Sequence, residues 1–504
     1  MRIDPKGLLD YQPAAVEQIL DALDRWQGAA DTSDMGVGKT AHAVAVIREL
    51  KEPTLVVCPS IAIESWRRMG AHLGTSFSIL NYEMLRTGKT PFGQWEKPKT
   101  SKLPKWLRCD TCQLKFKLEK AHKMPKCPHH YLGIHCVKVE SGKHDYGHFQ
   151  WHPNIKRIVF DEVHRCSAMG GTLQSDMLLG CKRQKIPVLG LSATLAESPL
   201  DLRAFGYCLG LHNYTDFYSW AARRGCRRTS WGGWQFLVGE EKRKKIMADL
   251  HAELFPSRGA RVRIADLGDK FPEVQIKAEL YDLKEAGLVD QLHAEMDDAI
   301  QTLNGLRAGD EERAITSILR NRQEIELLTI PIYEELVHDA NRSGLHCAIF
   351  LNFRRSVDEL CKRLKTECRI DGSQVGAAGL ARRMACIAAF QADAEPNIVS
   401  TSSAGNASID LHDTHGNFPR AGLVAPGFDA RQFRQIFGRL RRALARSKAL
   451  YRVILVAGTV QEQIHRALVG KLDCIDTLND GDLAAANLPL IRGSLAHLFS
   501  VDND

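Results

Sequence analysis

Short apolar runs bounded by turn residues recur along the chain and alternate with amphipathic helical patterns. They are "TLVVCP", "FSILNY", "RIVFDE" and "PVLGLSAT", then after a long gap "HCAIFLN", "NIVSTSS", "AGLVAP" and "YRVILVAG". Runs of this length, apolar on both faces, read as buried parallel strands. Strands alternating with helices predict a doubly wound α/β sheet whose ligands sit beyond the strands' carboxyl ends. Two groups of runs predict two such sheets, which suits a 504-residue chain too long for one ordinary core.

Between the groups, Leu283 to Ala340 is polar and helical, with apolar residues at three- and four-residue spacing, as in "EERAITSILRNRQEIELLTIPIYEELVHDA". The border between sheets is expected near Pro256 to Pro272. The reading is a first domain over 1–255, a second over 256–480 with a helical insertion over 283–340, and a tail over 481–504. The closing "VQEQIHRALVGKLDCID" reads as a helix.

The amino terminus lacks the basic, apolar, small-residue order of a signal peptide, and no apolar run approaches the roughly 20 residues that span a bilayer. Of the 14 cysteines, Cys58, Cys208, Cys347 and Cys386 sit among apolar runs, as buried thiols in a reducing compartment do. An intracellular, cytoplasmic protein with no membrane partner is expected. A net charge of +8 leans toward polyanionic partners without selecting one.

Three motifs bear on a nucleotide. "SDMGVGKT", Ser33 to Thr40, opens a helical pattern with a glycine-rich turn. Such a turn offers backbone N–H groups, at Gly36 and Gly38 among others, and a positive helix end to phosphates. Lys39 would reach the terminal phosphates and Thr40 would supply a hydroxyl to magnesium. Ser33 stands where the first glycine of the pattern is usual.

"KRIVFDEVH" is an apolar strand ending in adjacent carboxylates. Asp161 would hold magnesium while Glu162 orients and deprotonates the attacking water, which keeps metal and base separate. In "QIFGRLRR", Gln435 to Arg442, Arg439 and Arg442 are three apart and on one helix would share a face. Projecting from a second sheet, they would reach a γ-phosphate across a cleft. Such fingers contribute roughly 10³- to 10⁵-fold in rate.

In this order the motifs resemble those of DEAD/DEAH-type helicases and translocases of superfamily 2. "LLDYQPAAV" resembles the glutamine motif, which implies that Gln12 reads adenine. "VVCPSIAIESW" and "ILNYEMLR" resemble nucleic-acid-contacting motifs, and "LSAT" the motif coupling hydrolysis to movement. "HCAIFLNFRRSVDEL" resembles the turn that grips a strand backbone, "VSTSSAGNASIDL" resembles the motif joining nucleotide to nucleic acid, and Gln435 of "QIFGRLRR" is assigned to the nucleotide site.

"DMGVGKT", "SPLDLRAF" and "ILRNRQE" echo the chromatin-remodeller-like branch, whereas "QIFGRLRR" keeps ordinary helicase spacing and "SAGNASIDL" lacks the remodellers' double glycine. The resemblance spans about Leu8 to Lys471. It implies two RecA-like domains with ATP and magnesium in the cleft between them. It also implies ATP-driven action on nucleic acid: DNA (forked, single-stranded or duplex) ahead of RNA. Alternatives are a duplex translocase or branch-migrating remodeller that never separates strands, an ATP-gated binding module, and a restriction-system motor.

One stretch lies outside those motifs. "LRCDTCQLKFKLEKAHKMPKCPHH" pairs a Cys109-x-x-Cys112 knuckle with a Cys127-x-x-His130 knuckle. Two such knuckles let four ligands converge on a structural zinc, with Cys136 as alternative fourth ligand, and His129 or His135 also in reach. A small lysine-rich insert cannot build an adequate core, and metal binding supplies roughly 10 kcal/mol of apparent folding energy. From Lys97 to Lys143 there are 12 Lys plus Arg against 3 Asp plus Glu, a local +9 that exceeds the charge of the whole chain. With Trp95, Trp106 and Phe116 nearby, the insert is expected to clamp a phosphate backbone.

Overall fold

A computed structural model describes residues 3–88, 90–96, 106–109, 115–117, 137–139, 148–167, 172–229, 233–271, 274–283, 285–305, 311–405, 409–427, 429–443, 445–457 and 461. It is α/β, with two six-stranded sheets, each parallel throughout.

The first sheet is built from β1 (Gly28–Asp31), β2 (Thr54–Cys58), β3 (Ser78–Asn81), β4 (Arg157–Asp161), β5 (Val188–Leu191) and β6 (Gly259–Ala260), in the order β6-β1-β5-β4-β2-β3. Apolar clusters cover both faces, one with Val16, Ile19, Val44 and Trp66, the other with Trp151, Met177, Leu178 and Phe217. Burial on both sides is why the strands read as unbroken apolar runs. The order also brings the chemistry together. Asp31, Leu191 and Asp161 lie level across β1, β5 and β4, so the segments following these strands emerge side by side at one edge.

The second sheet holds β7 (Val274–Tyr281), β8 (His346–Leu351), β9 (Arg369–Ile370), β10 (Asn397–Thr401), β11 (Arg420–Val424) and β12 (Ala449–Val456), in the order β7-β12-β11-β8-β10-β9. All eight runs picked out in the sequence are strands. Four further strands of these two sheets escaped that reading, for different reasons. β1 is Gly-Ala-Ala-Asp, with almost no side chain to register as apolar. A Cβ on Gly28 would stand 2.6 Å from the Cys208 carbonyl oxygen, so the tight approach requires glycine. β7 alternates apolar and polar residues because it is an edge strand paired only with β12. β6 and β9 have two residues each. β6 lies in the first sheet and β7 in the second, so the chain crosses between lobes after Ala260.

Several helices bear on the site: α1 (Gln12–Trp26), α2 (Lys39–Leu50), α3 (Ile63–Leu73), α4 (Ala286–Gly305), α5 (Glu311–Arg342) and α6 (Ala430–Phe437). α4 and α5 run between β7 and β8, and α5 lays Ile330, Tyr333 and Val337 against Cys347, Ile349 and Leu351.

The insert leaves the first lobe through an antiparallel pair, Gly93–Glu96 with His148–Trp151. Strand Trp106–Cys109 pairs antiparallel with Lys115–Lys117 and Val137–Val139. Cys109 ends a strand of that small sheet. Cys112, Cys127, His130 and Cys136 lie outside the described residues, as do the acidic tail and, apart from Gln461, the helix expected before it.

Candidate nucleotide site

The loop after β1 turns through Gly36 (φ 89°) and Gly38 (φ 99°) into α2, with Gly38 as its N-cap. Both positive angles favour glycine, and there is no space for a side chain either. A Cβ on Gly38 would stand 2.3 Å from Gln12 Nε2, and one on Gly36 would stand 2.6 Å from the Arg441 carbonyl oxygen. The half-buried Lys39 donates from Nζ to the Ser33 (2.8 Å) and Asp34 (3.1 Å) carbonyl oxygens. Burial lowers the Lys39 pKa, Asp31 and Glu162 oppose the shift, and Arg442 adds to it. Thr40 follows in the first turn of α2, beside Lys39.

Gln12 is buried beneath this loop. Its Nε2 donates to the Val37 carbonyl oxygen (2.9 Å) and its Oε1 accepts from the Leu9 amide (2.9 Å). Both ends of the amide thus brace the loop. Behind it lies a pair the motif reading missed. The Asp31 carboxylate takes His42 Nδ1 at 2.8 Å on one oxygen and the Ser33 amide at 3.0 Å on the other, and both side chains are fully buried. Burial would raise the Asp31 pKa, yet His42, Lys39 and Ser33 together hold it below the usual carboxylate range.

Asp161 ends β4. Trp66 Nε1 donates to its carboxylate (2.9 Å), and the Tyr82 hydroxyl donates to its carbonyl (2.7 Å). Burial, reinforced by the Glu162 charge, lifts its pKa to about 6. Glu162 adopts a left-handed conformation (φ 55°), uncommon for a residue with a side chain. That turn sets Glu162 apart from its neighbour, against the second lobe, where Gln435 Nε2 donates to Glu162 Oε2 at 3.3 Å. His164 Nδ1 lies 3.3 Å from the same oxygen and 2.9 Å from Ser192 Oγ, which accepts from the Thr194 amide (3.1 Å). "DEVH" and "LSAT" are thereby joined.

Arg439 and Arg442 do not lie on a helix, contrary to the sequence reading. α6 ends at Phe437, and Gly438 caps it where a Cβ would meet Met35 at 2.5 Å, so the backbone passes too close to the phosphate loop for a side chain there. The arginines nevertheless converge. Buried Arg439 donates to the Ile409 carbonyl oxygen (3.1 Å), and Arg442 Nε donates to Asp410 (2.6 Å). Burial, then the adjacent Arg442, brings the Arg439 pKa down to about 10, with Glu162 acting against the shift. The Ala443 amide donates to the Gly36 carbonyl oxygen across the cleft (3.3 Å). Lys39, Asp161, Glu162, Gln435, Arg439 and Arg442 thus share one cleft between lobes.

On the second lobe, the turn after β8 hangs on one buried carboxylate. Glu326, on α5, accepts from the Asn352 amide (2.9 Å), the Phe353 amide (3.0 Å) and Asn352 Nδ2 (2.8 Å). Arg354 and Arg355 follow immediately and begin the next helix. Among the described residues no cluster of three or more His, Cys, Asp or Glu suits a metal, and no helix is long and apolar enough to cross a membrane.

No protein-family profile matches the chain. A protein of Acanthamoeba polyphaga mimivirus, provisionally named an ATP-dependent RNA helicase, is 29% identical over 489 residues, covering 94% of this chain and 84% of that protein. The chain resembles superfamily 2 helicases. At that coverage the likeness extends over most of both lobes. Among solved structures, the Sulfolobus solfataricus SWI2/SNF2 ATPase core in complex with dsDNA aligns over 96% of each chain at 15% identity, with a TM-score of 0.33.

Proposed function

We propose that the chain is an ATP hydrolase that couples turnover to movement along nucleic acid. The observation that carries the reading is the bond from Gln435 to Glu162 at 3.3 Å, with Arg439 and Arg442 beside it. It puts a candidate base of one lobe within reach of the other lobe's polar and cationic groups.

In this reading Lys39 and the loop's N–H groups bind the terminal phosphates. Glu162 accepts the proton of the attacking water, Gln435 orients that carboxylate, and the two guanidinium groups neutralise charge that grows on the phosphoryl oxygens. The hydroxyl of Thr40 and the carboxylate of Asp161 are hard oxygen donors of the kind magnesium takes, and the ion would supply charge neutralisation at the phosphates. His164, bridging Glu162 and Ser192, gives the base a direct link to "LSAT", the segment read as coupling hydrolysis to movement.

The preferred substrate is DNA, with movement along it or remodelling of it as the work. The support for DNA is the remodeller-like patterning of "DMGVGKT" and "ILRNRQE"; the +9 insert suits either polyanion, and the mimivirus relative's name favours RNA. ATPase rates with single-stranded DNA, duplex, forks and RNA test this, alongside strand release from forked substrates. Stimulation by RNA alone would overturn the DNA assignment. Release of no strand despite DNA-stimulated hydrolysis would favour the duplex translocase. For the insert we propose one structural zinc on Cys109, Cys112, Cys127 and His130. Metal analysis is expected to return one zinc per chain, lost in Cys127→Ser.

A further inference from the structure

Asp34 stands inside the phosphate loop, where a negative charge opposes the binding of a triphosphate. Its carboxylate is held from two sides. Oδ1 lies 2.8 Å from Arg261 Nη2 and 3.6 Å from Arg434 Nη2, and Oδ2 accepts from the Ile264 amide at 2.9 Å. Its backbone carbonyl oxygen accepts from Lys39 Nζ (3.1 Å). One residue therefore touches the phosphate-binding lysine, the connector between the lobes and the second lobe.

The two arginines differ in what they belong to. Arg261 also donates to the Thr32 carbonyl oxygen (2.6 Å), and the neighbouring Val262 amide donates to Ser33 Oγ (3.0 Å), so Arg261 travels with the loop. Arg434 is on α6, next to Gln435, and travels with the second lobe. We infer that Asp34 couples nucleotide affinity to lobe docking: Arg434 adds a second cation beside the loop's carboxylate only while the lobes are together, and on separation Asp34, left with Arg261 alone, is less fully neutralised and repels the bound nucleoside phosphate. Burial would raise the Asp34 pKa, but Arg261 and then Arg434 bring it to about 2, which fits a carboxylate that both cations stabilise. The arrangement makes opening of the cleft a release step for nucleoside diphosphate, and binding of nucleotide a closing one, as linkage requires.

This inference rests on the nucleotide-site reading above, and the test separates the two. Affinity for a fluorescent ATP analogue and for fluorescent ADP is measured on the full chain, with melting temperatures confirming folding. Arg434→Gln is expected to weaken binding on the order of fivefold or more. Asp34→Asn added to it restores affinity, because the charge that Arg434 helped to neutralise is gone. Arg434→Lys keeps the charge and binds as wild type does. Unchanged affinity in folded Arg434→Gln, or a double variant weaker than Arg434→Gln alone, overturns the coupling. Lys39→Ala binding as well as wild type would instead sink the nucleotide site itself.

Discussion

At the scale of single residues, the site divides its labour by environment. Lys39 is braced by two carbonyl oxygens and faces Asp31 and Glu162, and in the proposed function it is the cation that binds phosphate. Lys39→Ala is expected to abolish binding of a fluorescent ATP analogue. Glu162→Gln should bind ATP but hydrolyse it at least 100-fold more slowly, read by single-turnover rates, because the amide cannot accept the proton. Substantial turnover in that variant would remove Glu162 as the base. Asp34 gives a pH signature. Its folded pKa of about 2 lies below the unfolded 3.8, so its contribution is complete above pH 3.8 and lost as pH falls toward 2. The shift corresponds to at most roughly 2.5 kcal/mol. Denaturant titrations should therefore show Asp34→Asn less stable than wild type at pH 7, with the gap shrinking by about half near pH 3.

At the scale of elements, α5 does more than fill space after β7. Its Glu326 holds the turn that leads into Arg354 and Arg355 by two backbone amides and a side-chain amide, in a setting where burial raises its own pKa. Replacing it with alanine leaves those amides unsatisfied. A loss on the order of 1–3 kcal/mol is expected, measured by denaturant unfolding, together with weaker nucleic-acid binding. Unchanged stability would show that water replaces the carboxylate without cost. Element identity was legible where burial on both faces made apolar runs, as in β2, β4 and β8. It was not legible in β1, whose Gly-Ala-Ala carries no apolar bulk, or in β7, whose alternation follows from having one partner. The helix expected through Arg442 stops at Phe437 with Gly438 as its C-cap, and Met35 of the other lobe leaves no room for a side chain at that position.

At the scale of the whole molecule, the lobes complete one site. Arg439→Ala is expected to keep ATP affinity within about threefold while losing roughly 10³-fold in turnover. Parallel loss of affinity and rate would instead make Arg439 a binding group. The sequence by itself determined the two parallel-sheet lobes and the glycine-rich turn into α2, and it located the carboxylate pair and the arginine segment. These follow from short-range spacing of apolar, glycine and charged residues, which acts through backbone geometry and burial. Only the tertiary structure decided which groups meet: Gln435 with Glu162, Arg434 and Arg261 with Asp34, and Gln12 under the loop rather than in the open cleft. Such contacts join residues up to 400 positions apart, as Arg434 and Asp34 are, and their distances are set by how two cores dock, a cooperative packing outcome that no local pattern carries.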